Sequence, residues 1–119
     1  MTQGARIIDG RALAARTRVR LAEEISRRGR EVTLAVLLVG DDPASAIYVR
    51  GKERAASEVG IRSLVRREPN SLSQEGAERI VEEWANDSTI HAILVQLPLP
   101  PGLNTQRVIL PIPPAKDVH

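Results

Sequence analysis

Residues 33–68 read TLAVLLVGDDPASAIYVRGKERAASEVGIRSLVRRE. The first eight are apolar without alternation and end at Gly40, the pattern of a strand buried on both faces, as in a parallel sheet. Asp42 and Pro43 then form a helix start: the carboxylate can cap orphan amides, and proline at the first helical position loses no hydrogen bond. A helix is predicted over 43–59, stopped by Gly60. The run 61–68 reads as a second, shorter strand. A strand, a helix and a strand in succession form the unit that joins parallel neighbours.

The same alternation continues on both sides. Downstream, 71–87 predicts a helix with a capping box from Ser71 to Gln74 and a face of Ala77, Ile80, Val81 and Trp84. An apolar strand follows over 89–96, then the extended loop LPLPPGLN and a short helix over 104–110. Upstream, Ala14, Leu21 and Ile25 predict a helix over 10–28, stopped at Gly29. The expected fold is therefore α/β: three layers, a largely parallel sheet with helices on both faces, and one domain across 1–119. Ligands of such sheets bind beyond the carboxyl ends of the strands. VGDDPAS and VQLPLPP stand at those ends.

Composition narrows the function. Hydrophobic residues make up 42% of the chain, enough for a core, and with no Phe, one Trp and one Tyr that core is aliphatic. The absence of cysteine excludes disulfides and thiolate metal sites and fits a reducing cytoplasm. No apolar run reaches the roughly 20 residues of a membrane span. The Arg-rich N-terminus contains RIIDG and little Ser, so it reads as ordered structure rather than a transit peptide. Acids are interspersed with the bases and aromatics are nearly absent, which argues against a nucleic-acid partner.

Among 17 basic residues only Lys52 and Lys116 are lysines. At about 100° per residue, Ala44, Tyr48, Ala55 and Val59 share one side of the 43–59 helix. Arg50, Glu53, Arg54, Ser57 and Glu58 share the other. Lys52 falls between Tyr48 and Val59, Ser45 flanks that side, and Gly51 leaves room for another backbone. Two readings of Lys52 stay open. Its stem packs and its ammonium reaches water, with no chemistry; or the amine ends in a cleft, where burial lowers its pKa and lets it exchange protons, as arginine cannot. Lys116 reads as a loop charge.

Gln96 closes the third strand ahead of a proline-stiffened loop. It is either a polar residue leaving the sheet or a carboxamide held to bond a nearby amine or heterocycle. Asp41 and Asp42 do not make a metal site, because capping accounts for Asp42 and two adjacent acids are no coordination sphere. His91 lies in a strand with no obvious partner and reads as structural.

RIIDGRALA, LLVGDDPASAIYVRGKERAASEVGI, ILVQLPLPPGLN and PPAKDV, in that order, resemble the bacterial bifunctional methylenetetrahydrofolate dehydrogenase/methenyltetrahydrofolate cyclohydrolase family, in its N-terminal catalytic domain. The resemblance spans nearly the whole chain. It implies a tetrahydrofolate derivative as substrate, bound in a cleft, with hydride transfer to NADP followed by hydrolysis to formyltetrahydrofolate. It implies Lys52 as the acid/base group, Gln96 holding and tuning it, Tyr48 packing on the folate and Ser45 placing water. Pro98, Leu99 and Asp117 join the substrate contacts. A homodimer in the cytoplasm is implied as well.

The chain departs from the family in two places. The family continues K-D-V-D-G, its second acid contacting the pterin, whereas here Lys116, Asp117 and Val118 are followed by His119. No glycine-rich phosphate loop follows a strand, so the NADP-binding C-terminal domain is expected to lie outside this chain, which reads as a fragment. A stand-alone folate-binding or regulatory module without catalysis is the alternative.

Overall fold

A computed structural model describes residues 32–119; the helix expected over 10–28 lies outside the described residues. Six elements follow in order: β1 (Val32–Val39), α1 (Pro43–Glu58), β2 (Ile61–Glu68), α2 (Gln74–Ala85), β3 (Ala92–Val95) and α3 (Thr105–Ile109). The strands form a parallel sheet in the order β2-β1-β3. β1 is thus central, which explains its unbroken apolar run: it is flanked by a strand on each edge and covered on each face.

The faces separate with a period of two along β1. Ala35, Leu37 and Val39 pack with Ile93 and Val95 against Ala77, Ile80, Val81 and Trp84 of α2, and Val108 of α3 joins them. Val32, Leu34, Val36 and Leu38 pack with Ala92 and Leu94 against Val49 and Ala56 of α1. The three-layer arrangement with helices on both faces is the one the alternation predicted. Each fully buried aliphatic side chain here contributes about 1.5–3 kcal/mol.

Several local readings change. β2 is as long as β1 and pairs along its full length, Val32 with Ile61 through Val39 with Glu68. The short strand is β3, although the apolar run there is longer. The Asp87 carboxylate accepts from the Thr89 amide and hydroxyl, and Ile90 N–H donates to Asp87 O, so a turn takes up the first residues of the run. The cap of α2 is Ser73, whose hydroxyl accepts from Gly76 N–H at 2.9 Å, and not Ser71. A turn closed by Leu72 N–H on Pro69 O holds Ser71 outside the helix.

His91 precedes β3 and does have a partner. Its Nδ1 accepts from Thr33 N–H at 3.0 Å while the His91 backbone N–H donates to Thr33 O, so ring and backbone together stand in for a strand neighbour. Lys116 is more than a loop charge. Its ammonium donates to the carbonyls of Trp84, Ala85 and Asp87 at 3.2, 3.0 and 2.9 Å, satisfying the end of α2 where the helix dipole favours a cation. That anchor sets Lys116 O to accept from Ile93 N–H and lays Asp117 beside β3 as a single parallel bridge.

Candidate functional site

The carboxyl end of β1 turns at Gly40, whose φ of 93° is the left-handed region that favours glycine. Two residues later Asp42 accepts from Ala44 N–H at 2.8 Å, and Pro43 starts α1 as expected. The helix does not lie on the sheet as its most apolar arc suggested. Its buried residues are Ser45, Val49 and Ala56, a stripe turned by about one residue from Ala44, Tyr48, Ala55 and Val59. Ser45 and Ala56 are small enough for the helix to sit close to the strands, with Val49 filling the centre. Tyr48 is consequently 58% exposed. Gly51 faces open space among the described residues, so no backbone approaches it.

Lys52 stands at the margin of that stripe, two turns after Ser45, between the packed face and exposed Tyr48. Its Nζ donates to Gln96 Oε1 at 2.9 Å. Gln96 is 5% exposed and leaves β3 with its own N–H on Leu37 O. Its side-chain Nε2 donates to Leu97 O at 2.9 Å, which leaves Oε1 facing the lysine. Sequence reasoning missed this use of the Leu97 carbonyl; its only signal was adjacency to Gln96.

The electrostatics follow from the partners. Burial pushes the Lys52 ammonium below the ordinary lysine value. Among the described residues no carboxylate pairs with it, and its neighbour is a neutral carboxamide. An amine held in this way can give and take a proton more readily than a surface lysine.

Lys52 and Gln96 come together across the helix and the sheet, while Ser45 is buried on the same helix and Tyr48 is exposed. Pro98 is exposed on the loop just beyond Gln96, after a cis bond from Leu97. Leu99 is only 9% exposed and packs in the core with Val108 and Ile112, which anchors the loop. The Asp117 carboxylate is already engaged, accepting from the His119 amide at 2.9 Å and lying 2.8 Å from His119 Nδ1. The Nε2 of that ring accepts from Val95 N–H, one residue before Gln96.

Among the described residues no cluster of metal-ligating side chains occurs. No helix there is long and apolar enough to cross a membrane. The loop after β1 does not suit a dinucleotide phosphate, because the α1 amides meet the Asp42 carboxylate with Asp41 beside it.

The profile of the tetrahydrofolate dehydrogenase/cyclohydrolase catalytic domain matches residues 8–119. The chain belongs to that family. A relative named bifunctional protein FolD, from Halalkalibacterium halodurans, is 48% identical over 115 residues, which is 94% of this chain and 41% of that protein. A protein of the same name from Streptococcus pyogenes is 47% identical over 116 residues, again 94% of this chain and 41% of its own length. The chain therefore spans about two fifths of the relatives it matches.

Solved family structures agree. The bifunctional methylenetetrahydrofolate dehydrogenase/cyclohydrolase of Campylobacter jejuni superposes with a TM-score of 0.74 at 38% identity, over 92% of this chain and 40% of that one. The Trypanosoma brucei dehydrogenase-cyclohydrolase, solved with NADP cofactor and inhibitor, superposes with a TM-score of 0.73 at 37% identity, over 92% and 39%.

Proposed function

We propose that this chain is the N-terminal folate-binding catalytic domain of a bifunctional enzyme. That enzyme oxidises methylenetetrahydrofolate to methenyltetrahydrofolate with NADP and hydrolyses the methenyl cation to formyltetrahydrofolate. One observation carries the reading: the half-buried Lys52 amine lies 2.9 Å from Gln96 Oε1, at the carboxyl end of a parallel sheet. Burial lowers its pKa, and a neutral amine does not repel a cationic substrate as an ammonium would.

Hydrolysis involves Lys52 in two proton transfers, and a third transfer releases a proton to solvent. Water adds to the methenyl carbon, and as the C–O bond forms one of its protons passes to neutral Lys52. The product is a neutral carbinolamine beside an ammonium. The bond to the leaving nitrogen then breaks, its electron pair staying on nitrogen, which takes the proton from Lys52. The hydroxyl proton departs to solvent as the formyl C=O forms, so cation and water give formyl product and one proton, with the lysine returned neutral. Gln96 holds the amine in line, Ser45 helps place the water, and Tyr48 and Pro98 pack on the folate.

The oxidation requires NADP as hydride acceptor. The chain spans 41% of the relatives it matches, and we assign the binding of NADP to a C-terminal domain of the full-length protein. By likeness to the family the full-length protein is expected to be a cytoplasmic homodimer that supplies formyl groups for purine synthesis.

The test uses the full-length protein. Lys52→Met is expected to lower methenyltetrahydrofolate hydrolysis about 10²–10⁴-fold, and unchanged turnover removes Lys52 from the mechanism. Folate binding without any turnover in the unaltered protein fits a binding or regulatory module instead.

A further inference from the structure

Gln74 opens α2, yet its carboxamide does not serve that helix's amides. Its Oε1 accepts from Asn104 N–H at 2.7 Å, while its Nε2 lies 3.4 Å from Asn104 O and donates to Glu78 Oε2 at 2.7 Å. A side-chain amide paired with both backbone groups of one residue imitates a strand neighbour. Asn104 in turn caps α3 by accepting from Arg107 N–H, and Arg107 Nε reaches Glu78 at 3.4 Å.

Asn104 ends the loop that Gln96 begins. Between them Pro98, Pro100 and Pro101 fix their φ angles and lack N–H groups, so the segment is stiff. Leu103 N–H closes a turn on Pro100 O, with Gly102 at φ 99°. Leu99 and Leu103 press into the core. A stiff segment passes a shift at one end to the other instead of absorbing it. The near end holds the Leu97 carbonyl, and that carbonyl decides which way the Gln96 carboxamide faces.

We infer that Gln74 is a positioning residue for the site: by clamping Asn104 it fixes the loop, the loop fixes Leu97 O, and Leu97 O keeps Gln96 Oε1 turned toward Lys52. The catalytic consequence rests on Lys52 and Gln96 being the reacting pair proposed above; the clamp itself does not.

The experiment compares full-length protein with two variants. Gln74→Met keeps the side chain's length and removes both bonds to Asn104. The pair Gln74→Glu with Glu78→Gln conserves charge and restores an oxygen for Asn104 N–H. The readouts are the ¹⁵N NMR signal of the Gln96 side-chain amide and the turnover of methenyltetrahydrofolate hydrolysis. In Gln74→Met the amide signal is expected to move and turnover to fall about tenfold, within the range that small misplacements cost. The paired variant is expected to return both toward their original values.

A folded Gln74→Met protein with either readout unchanged overturns the inference, and so does a paired variant that restores neither. If Gln74→Met does not fold, the paired variant decides alone: a displaced amide signal or a tenfold loss of turnover there overturns it. The amide signal reports on the clamp whether or not Lys52 reacts, and Lys52→Met reports on the reacting pair whether or not Gln74 matters, so the two failures are distinguishable.

Discussion

Lys52 and Lys116 are the only lysines in the chain, and both are partly buried with their ammonium groups hydrogen-bonded to uncharged oxygen. Their surroundings differ in number and kind. Lys116 meets three carbonyls at the end of a helix, where the local dipole favours positive charge. Lys52 meets one carboxamide, and the burial around it opposes the charge. One residue type is thus a fastener in one place and a proton carrier in the proposed mechanism in the other. The helix dipole, the carbonyls and the attraction of the Asp87 carboxylate favour the charge on Lys116, and burial opposes it on Lys52.

The sharpest way to break this contrast is to remove each amine in turn from the full-length protein. Lys52→Met carries the largest expected effect, the loss of hydrolysis given above, while Lys116→Met should leave turnover within about threefold, a difference near 0.7 kcal/mol. Equal losses from the two changes would erase the distinction.

Next in size, Gln96→Leu removes the carboxamide but keeps the bulk. Turnover is expected to fall about tenfold, the worth of one hydrogen bond of roughly 1.4 kcal/mol. An unaltered rate would leave Lys52 positioned by its own helix.

Lys116→Met is expected to act on stability instead, because it strips a donor from three carbonyls at the end of α2. Urea unfolding should show a loss of about 1–3 kcal/mol, and a value near zero would return Lys116 to the role of a loop charge.

The smallest effect concerns pH. The folded protein holds the Lys52 pKa below its unfolded value of 10.5. Between those two values the unfolded chain binds more protons, so this group's penalty is full below the folded pKa and fades as pH rises. Lys52→Met should therefore stabilise the protein at neutral pH, with the advantage shrinking toward pH 10.5. Thermal melts across that span check the sign, and an advantage that grows with pH would contradict it.

Much of this was legible in sequence, and the failures have physical causes. Strand–helix alternation and the unbroken run of β1 gave the layers, because hydrophobic periodicity reports directly on burial. The packed face of α1 differs from the expected one because Tyr48 and Val59 carry more apolar surface than Ser45 and Ala56 and so weigh more in a projection. Close packing on a sheet instead selects small side chains, and the surplus apolar residues were left on the outside. His91 is structural, as expected, but its partner and those of Lys116 lie 58 and 29–32 residues away in sequence, where local pattern carries no signal. The Lys52–Gln96 pair spans 44 residues, and it was reached through motif likeness more than through spacing.

The seating of α1 on Ser45 and Ala56 turns steric bulk into a length control. An added methyl or two at Ala56 would lift the helix off the strands, and the amine would rise with it while Gln96 stayed fixed in the sheet. The distance at which the carboxamide holds the amine is therefore metered by side chains that touch neither group, and natural variation at Ala56 would be a means of adjusting that grip without altering either partner.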